Sequence, residues 1–349
     1  MSQSVYVGLS GGVDSSVAAA LLKDQGFDVT GVYMKNWTQD LPGMICPWAE
    51  DLADAKRVAV QLGIPFKVYD FQDQYRHKVV DYMIAEYRAG RTPNPDIMCN
   101  QDIKFKLFLD TALADGADMI ATGHYARTQG GQLLRAVDEV KDQTYFLYRV
   151  ISKALQHTLF PLGNLTKAAV REIAERRGLV TAQKKDSQGI CFVGKVGIRE
   201  FLSHYVNAVP GDIIDTVTHK IIGRHDGAIF YTIGQRQGLG VGGGLPYYVT
   251  GKDMARDEVY VTTRLNDASL WRAQLQLTDT HWITEPPHIG DTLQARLRHR
   301  GRLIAAEVTA VADDELTLQL EDAERAITPG QSTVLYEGDR VVGGGIVLH

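Results

Sequence analysis

The feature that most constrains the fold is an alternation, over the first 125 residues, of short apolar runs with amphipathic segments that end at glycine. This βαβ pattern is typical of α/β proteins and predicts a doubly wound parallel sheet. Ligands of such sheets bind beyond the carboxyl ends of the strands. We expect strands at residues 5–9, 29–34, 66–69 and 119–122, and helices at residues 15–25, 50–62, 75–88 and 103–114.

A glycine-rich turn, GLSGGVDSS at residues 8–16, connects the first predicted strand to the first predicted helix. Its adjacent glycines let the backbone approach an anion closely, and the serine hydroxyls and the positive end of the helix can bind it. The turn lacks the lysine of the G-x-x-x-x-G-K-[ST] phosphate loop. Asp14 would repel a bare phosphate but could hold Mg²⁺ that bridges pyrophosphate oxygens. A tight turn capped by aspartate and serine is the alternative without a ligand.

Composition limits the remaining choices. A chain of 349 residues, 44% of them hydrophobic, is expected to form two or three domains. A net charge of −5 gives no overall signature of a nucleic-acid-binding protein, so any such surface must come from local basic patches. The N-terminus has no basic region ahead of an apolar core, and no apolar run approaches the ~18 residues of a membrane span. We expect a soluble cytoplasmic protein.

The sequence pattern changes after the alternating region. A helical segment, LTKAAVREIAERRGL, has Thr166 as its expected N-cap and Gly178 just past its end. Short β runs and glycine clusters follow from VPGDIID onward, and alternating strands and turns from about residue 270 predict a small β-barrel. We expect a catalytic domain with a helical extension at residues 1–205, a central β-rich domain at residues 206–268 and a C-terminal β-barrel at residues 269–349.

Three cysteines, Cys46, Cys99 and Cys191, are too few and too scattered for a disulfide framework or a C-x-x-C metal site. In TPNPDIMCNQDIKF, prolines fix the backbone ahead of Cys99, which we expect at the start of a helix, where the dipole favours a thiolate. Asp96 in the same segment is a candidate general base. In KKDSQGICFVG, two lysines near Cys191 also favour its thiolate. An inert buried thiol is the alternative for either cysteine, and Cys46 is interpreted as structural.

The string SGGVDSS resembles the loop of the pyrophosphate-loop enzymes, which split ATP between its α and β phosphates and adenylate an oxygen. The whole chain is similar to the tRNA-specific 2-thiouridylases of the bacterial and organellar type. The similarity includes both cysteine segments and the strings NWTQD, AEDLADAKRVA, ATGHYAR, KDQTYFLY, FPLG, HDGAIFYTIGQRQGLGVGG and YYV. It implies an adenine nucleotide alpha hydrolase-like sheet and a tRNA-binding role for the helical extension.

The resemblance implies ATP-dependent sulfur transfer to the wobble uridine of tRNA, U34. ATP adenylates the C2 oxygen of the uridine, and sulfur carried as a persulfide on Cys191 is delivered to C2, with release of AMP and pyrophosphate. Cys99 releases the sulfur and forms a transient disulfide with Cys191. The implied partners are tRNAs of the Lys, Glu and Gln type and a persulfide carrier protein fed by a cysteine desulfurase. The implied cofactors are ATP and Mg²⁺, with no stable metal or iron–sulfur cluster, and the chain is expected to be a monomer that does not associate with membranes.

The resemblance also implies binding residues. Those for ATP are Gly8, Leu9, Ser10, Gly11, Gly12, Val13, Asp14, Ser15, Met34 and Gly123, and Asp14 is a candidate Mg²⁺ ligand. Those for tRNA are Asn94, Pro95, Asp96, Lys141, Asp142, Gln143, Arg298 and His299, the first three around a target base that is flipped out of the anticodon stack.

A basic stripe in RLRHRGR supports a tRNA contact. Arg296, Arg298, Arg300 and Arg302 alternate and are therefore expected on one face of a strand, where four guanidinium groups suit a phosphate backbone. The family has arginine, tyrosine and arginine where this chain has Arg298, His299 and Arg300. A histidine can stack on a base, but its charge is expected to depend on pH.

Three other functions use part of the same pattern. An amide-forming synthetase of the same loop family would adenylate its substrate but would not need two cysteines. A nucleotide-binding sensor or tRNA-binding module would bind ATP without forming AMP and pyrophosphate. An iron–sulfur-dependent thiolase is disfavoured because the three cysteines include no C-x-x-C pair.

Overall fold

A five-stranded sheet whose neighbouring strands are all parallel forms the centre of the N-terminal region in the computed structural model, which describes residues 2–40, 47–186, 197–242 and 244–348. The strand order is β3-β2-β1-β4-β7. The order reverses at β1, because the chain first builds outward to β3 and then returns to place β4 on the other side of β1. The strands are β1 Ser4–Gly8, β2 Asp28–Lys35, β3 Phe66–Asp70, β4 Met119–Ala121 and β7 Thr158–Leu159, and the hairpin β5 Arg127–Gln129 with β6 Gln132–Leu134 lies outside this sheet.

Helices cover both faces of the sheet. Val5 and Val7 of β1 pack in one apolar cluster with α1 and α2, whereas Tyr6 packs in another on the opposite face, because successive strand side chains alternate between faces. The two clusters confirm the doubly wound α/β arrangement. The helices are α1 Val13–Asp24, α2 Trp48–Leu62, α3 Gln72–Tyr75, α4 Asp81–Arg88, α5 Pro95–Met98, α6 Phe108–Ala114, α7 Ser152–Gln156, α8 Lys167–Arg176 and α9 Ile198–Ser203.

Two of these helices are longer than the sequence pattern indicates. A π-helical stretch, Arg76–Val80, joins α3 to α4, and a second one, Cys99–Leu107, joins α5 to α6. The helix predicted at residues 103–114 therefore begins at Pro95. Proline is favoured at the first helical position, where its fixed φ fits and its missing N–H has no partner to lose. The expectation that Cys99 starts the helix is wrong, because Cys99 lies in the second turn.

A small β-rich domain follows. Its four strands are arranged in the order β10-β11-β8-β9 around a compact apolar cluster that includes Ile213, Val249 and Val261. The strands are β8 Gly211–Asp215, β9 Ile221–His225, β10 Tyr248–Asp253 and β11 Glu258–Thr262.

The C-terminal region is a six-stranded barrel, which confirms that two β-rich domains follow the α/β sheet and that the last is a barrel. The order β12-β15-β14-β13-β16-β17 closes through a further pairing of β12 with β17. The hairpin β5–β6 of the N-terminal region extends this sheet at β17, where Leu134 pairs with Arg340. The barrel strands are β12 Trp271–Trp282, β13 Thr292–Arg296, β14 Ile304–Val311, β15 Leu316–Arg325, β16 Ser332–Glu337 and β17 Arg340–Val347.

The predicted arginine stripe does not form. β13 ends at Arg296, and the chain then turns through Arg300, whose φ of 61° places it in the left-handed region. The turn ends the alternation of side chains that a continuous strand would have imposed. Arg296 is buried, whereas Arg298 and Arg302 are exposed and both pair with Glu324. The four guanidinium groups therefore do not share a strand face.

Candidate active site

The glycine-rich loop lies at the carboxyl end of β1 and leads into α1, whose N-cap is Gly12. Serine side chains hold the loop together: the Ser10 N–H donates to Ser15 Oγ (3.1 Å), and the Ser16 hydroxyl donates to the Gly12 carbonyl (2.7 Å). Gly11 has φ 73°, and a Cβ there would lie 2.4 Å from the backbone oxygen of Asp51. The loop is thus pre-formed, with the first N–H groups of α1 available to an anion.

Two residues from neighbouring strands approach this loop. A Cβ on Gly8 would lie 3.0 Å from Met34 Cε, and a Cβ on Gly123 would lie 2.6 Å from the backbone nitrogen of Ser15. Met34 belongs to β2, and Gly123 follows β4. The structure thus gathers the residues expected at ATP around the crevice between β1, β2 and β4, where the strand order reverses, the usual ligand position in such sheets.

Asp14, in the first turn of α1, accepts two hydrogen bonds at Oδ1, from the Tyr125 hydroxyl (3.0 Å) and from Lys167 Nζ (2.6 Å). Within the described ranges no group of three or more His, Cys, Asp or Glu side chains could hold a metal ion. The donor set at the loop is thus a single carboxylate. It fits Mg²⁺ that arrives with nucleotide phosphates, because Mg²⁺ usually binds through one or two carboxylates and the phosphates.

Lys167 extends this contact into a charged network. Its Nζ also lies 2.9 Å from Asp186 Oδ1, and Asp186 pairs with Lys141 (2.7 Å) and Arg171 (2.5 Å). Burial alone would raise the pKa of Asp186, but hydrogen bonds from Lys141 and Lys167 outweigh it and hold that pKa below its ordinary value. Sequence reasoning missed Lys167. The available signal was a lysine at the first helical position, where the helix dipole disfavours a cation unless an anion faces it.

Cys99 is buried, with 2% of its surface exposed, in the apolar cluster on the side of the sheet that carries Tyr6. The expectation of a thiolate favoured by the helix dipole loses its basis, because the dipole effect falls off within the first turn and Cys99 lies in the second. Cys191 and Cys46 lie outside the described residues, and so does any contact between Cys99 and Cys191.

Asp96 lies in the first turn of α5. Burial raises the pKa of its carboxyl, and the Lys104 ammonium opposes that rise. Burial also lowers the pKa of His124, and the Lys104 ammonium lowers it further by a smaller amount. The imidazole is therefore neutral at pH 7. His124 Nδ1 lies 2.7 Å from Thr122 Oγ1, and its ring packs on Phe105. Sequence reasoning missed Lys104 and His124, although both lie within segments that it quoted.

Hydrogen bonds from the other two domains fix the segment that leads to Asn94, Pro95 and Asp96. The Thr92 N–H donates to the carbonyl of Pro329 (2.9 Å), and Gln331 Nε2 donates to the carbonyl of Thr92 (2.7 Å). The Thr92 hydroxyl lies 3.2 Å from that of Thr232. The barrel and the central domain thus both position the turn before α5.

Among Lys141, Asp142 and Gln143, the middle residue lies inside the protein. The Asp142 side chain is fully buried, 2.7 Å from Arg296 Nη1, and also accepts from the Thr144 hydroxyl. The buried carboxylate of Asp142 is thus engaged inside the protein, and a role of Asp142 in tRNA binding stays a prediction. Gln143 Oε1 accepts from the Tyr125 N–H (2.9 Å).

Arg298 and His299 lie in the turn after β13. Arg298 is exposed and pairs with Glu324 at 3.0 Å. The His299 ring packs 4.5 Å from the Phe146 ring, and burial, followed by the neighbouring arginines, lowers its pKa to about 4. The charge of His299 therefore changes only under acidic conditions, and this imidazole is neutral at pH 7.

The parallel sheet and its pre-formed loop define an adenine nucleotide alpha hydrolase-like protein. Family models described as "tRNA methyl transferase HUP domain", "tRNA methyl transferase PRC-barrel domain" and "Aminomethyltransferase beta-barrel domain" match residues 3–195, 199–263 and 272–347. Among the described residues, no helix is long and apolar enough to cross a membrane.

Curated relatives match almost the whole chain. Proteins named tRNA-specific 2-thiouridylase MnmA from Geobacillus thermodenitrificans, Oceanobacillus iheyensis and Bacillus subtilis are 47%, 48% and 46% identical, each over 98% of this chain and 94% of the relative. The chain therefore belongs to the tRNA-specific 2-thiouridylase family, although the family models carry methyltransferase names. A 4-thiouridine synthetase–RNA complex with bound ATP is similar at 19% identity and TM-score 0.38, over 58% of this chain and 50% of that one, which is too low to support a functional argument.

Proposed function

We propose that this protein uses ATP to thiolate C2 of the wobble uridine of tRNA. Besides membership of the family, the positions of the consecutive residues Gly123 and His124 support this proposal. Gly123 packs against the start of α1, and the His124 ring packs on Phe105 of the helix that carries Asp96 and Cys99. The glycine-rich loop and the helix that carries Asp96 and Cys99 thus both contact the turn that follows β4.

In the first step the uridine O2 attacks the α phosphorus of ATP. An O–P bond forms, the bond to the β-phosphate oxygen breaks, and pyrophosphate leaves with its electron pair. Asp96 accepts the N3 proton of the uridine, and its raised pKa makes it a stronger base than an exposed aspartate. Mg²⁺ at Asp14 would supply charge neutralisation for the phosphates. The first N–H groups of α1 hold the same phosphate oxygens.

In the second step sulfur replaces the activated oxygen. The terminal sulfur of a persulfide on Cys191 attacks C2, and AMP leaves with the former uridine oxygen. Cys99 then loses its thiol proton and its sulfur attacks the sulfur atom of Cys191. The S–S bond breaks, its electron pair stays on the sulfur of the new 2-thiouridine, and that group takes up the proton. A dithiol reductant must reopen the resulting Cys99–Cys191 disulfide, and the two Cα atoms must come within about 7 Å.

The proposal includes the partners of the reaction. A carrier protein charged by a cysteine desulfurase supplies the persulfide, the substrates are tRNAs of the Lys, Glu and Gln type, and the protein works as a cytoplasmic monomer. We assign ATP chemistry to residues 1–205, and positioning of tRNA and of the turn before α5 to residues 206–268 and 269–349.

The test is a gel containing a mercury compound, which retards thiolated tRNA. Unmodified tRNA is incubated with ATP, Mg²⁺, a persulfide donor and either the wild-type protein, Cys99→Ser or Cys191→Ser, with Cys46→Ser as the matched control. We expect retardation with the wild type and the control and none with the other two variants. AMP release without retardation by the wild type would instead indicate an amide-forming synthetase, and ATP binding without AMP release a sensor.

A further inference from the structure

The glycine-rich loop contains no lysine, yet a lysine from a distant part of the chain contacts it. Lys167 Nζ lies 2.6 Å from Asp14 Oδ1, and only 14% of the Lys167 side chain is exposed. The helix that carries it, α8, packs beside α1 in the same apolar cluster through Val170 and Ala174. The position of this ammonium is therefore built into the core of the domain and does not depend on a surface loop.

The local structure keeps Lys167 at a place that is otherwise unfavourable for a cation. Lys167 is the first residue of α8, so the positive end of the helix dipole opposes its charge. Its backbone N–H donates to Asp138 Oδ2 (2.8 Å), and the Thr166 side chain caps the helix by accepting from the Ala169 N–H. The ammonium is stabilised by Asp14 and Asp186 together. Of the salt bridges among the described residues, the contact from Lys167 is the one that reaches the loop.

Bound ATP would change the charges that surround the Lys167 ammonium. The phosphates bring several negative charges next to Asp14, and an ammonium on a flexible four-carbon stem can move from one oxygen acceptor to the next. We propose that Lys167 supplies the cation that the loop itself lacks: it binds the β and γ phosphates of ATP and stabilises the negative charge that develops on the leaving pyrophosphate. The inference rests on the proposed function, because it requires that the loop bind ATP.

A purely structural role for Lys167, holding Asp186 against α1, makes a different prediction, and the chain offers a matched control. Arg171 lies on the same helix and pairs with the same oxygen of Asp186, at 2.5 Å, and it also donates to the carbonyls of Ala182 and Lys184. Among the described residues, it forms no salt bridge with Asp14. Arg171→Gln therefore removes a cation from the network without removing one from the loop.

The experiment measures equilibrium binding of three probes, magnesium ATP, magnesium pyrophosphate and AMP, to the purified full chain. For Lys167→Ala we expect about 10- to 100-fold weaker binding of ATP and pyrophosphate, the loss of one charge-assisted contact. AMP, which lacks the β and γ phosphates, should bind within about twofold of the wild type. Lys167→Arg should restore part of the pyrophosphate affinity, and Arg171→Gln should leave all three affinities unchanged. Thermal unfolding checks that each variant is folded. If Lys167→Ala is not folded, Lys167→Gln replaces it.

Three outcomes would overturn the inference. Wild-type affinity for pyrophosphate in folded Lys167→Ala would show that the ammonium does not bind it. Equal weakening of AMP and pyrophosphate, reproduced by Arg171→Gln, would assign Lys167 to the structural role. A wild-type protein that binds neither ATP nor pyrophosphate would remove the proposed function itself, which separates that failure from the first two.

Discussion

At the scale of single residues, the ammonium of Lys104 acts on two neighbours with different chemical results. It lowers the pKa of Asp96 against a larger opposite effect of burial, and it adds to the effect of burial in lowering the pKa of His124. The carboxyl is thereby kept in reach of its ionised form, and the imidazole is kept neutral. Both states suit the proposed role of Asp96, which is to accept the N3 proton of the uridine.

Removing this ammonium should shift the pH dependence of adenylation. Asp96 accepts a proton only when ionised, so the rate falls as the pH drops through its pKa. In Lys104→Gln burial is opposed less, the pKa of Asp96 rises further, and the acid limb of the single-turnover rate should move to higher pH. Asp96→Asn should lose about 100-fold or more of the rate.

The neighbouring Lys106 provides the control, because its side chain is exposed and does not contribute to the pKa of Asp96. Lys106→Gln should leave the acid limb in place. An acid limb that stays fixed in Lys104→Gln, or moves to lower pH, would contradict the assignment of Asp96 as the base.

At the scale of elements, the turn after β4 packs directly on the first turn of α1. The atoms that a Cβ on Gly123 would meet are backbone atoms, the nitrogen of Ser15 and the carbonyl carbon of Asp14, and backbone cannot rotate away as a side chain can. The phosphate-binding end of α1 is thus set by its distance from β4 as well as by its own sequence.

Gly123→Ala should therefore push the turn and α1 apart. We expect at least about tenfold weaker ATP binding, since the loop N–H groups move, and a destabilisation of about 1–3 kcal/mol from overpacking. Gly242→Ala is the control, because a Cβ there meets nothing within 4 Å and the residue does not need a positive φ. Calorimetric titration with ATP and denaturant unfolding measure the two effects. Equal behaviour of the two variants would refute this account.

The elements show which parts of the fold the sequence can predict. α2 is expected at residues 50–62 and observed at Trp48–Leu62, because its apolar spacing is helical and Gly63 adopts the left-handed conformation that ends a helix. The start at Pro95 was not predictable by the same rule, since the PNPD string is typical of a turn as well as of a first helical turn. The prediction that four alternating arginines share one strand face was wrong because the end of a strand depends on how the barrel closes.

The candidate site likewise has a part that the sequence predicts and a part that it does not. The loop residues are contiguous, so one string predicts them. Tyr125 and Lys167 reach Asp14 from more than 100 positions away, as the separations of 111 and 153 residues show, and only the packing of α8 beside α1 brings Lys167 there. Short motifs therefore predicted the part of the site that one turn provides, and tertiary packing determines the rest.

At the scale of the whole molecule, the segment from Asp142 to Arg149 joins the α/β domain to the barrel. Asp142 pairs with Arg296, the Tyr145 hydroxyl donates to the carbonyl of Ser332 (2.8 Å), and Arg149 pairs with Asp279 (2.8 Å). Asp142 and Arg296 are both buried, and among the described residues Asp142 is the carboxylate that forms a salt bridge with Arg296.

Asp142→Asn should destabilise the protein strongly, because it leaves the Arg296 guanidinium buried without a counter-charge. We expect a loss of about 3 kcal/mol in the free energy of unfolding. Arg302→Ala removes a guanidinium whose side chain is 56% exposed and leaves Glu324 paired with Arg298, so it should cost less than about 1 kcal/mol. Urea unfolding followed by tryptophan fluorescence compares the two. A cost for Asp142→Asn as small as that of Arg302→Ala would show that the pair does not join the domains.

The contacts of Thr92 bear on how such a protein can change during evolution. Thr92 lies within the range of the first family model, Thr232 within that of the second, and Pro329 and Gln331 within that of the third. Their hydrogen bonds meet just ahead of Asp96. Exchanging the barrel for another module would remove the hydrogen bonds of Pro329 and Gln331 that support the turn before Asp96. We therefore expect the three parts to be inherited together.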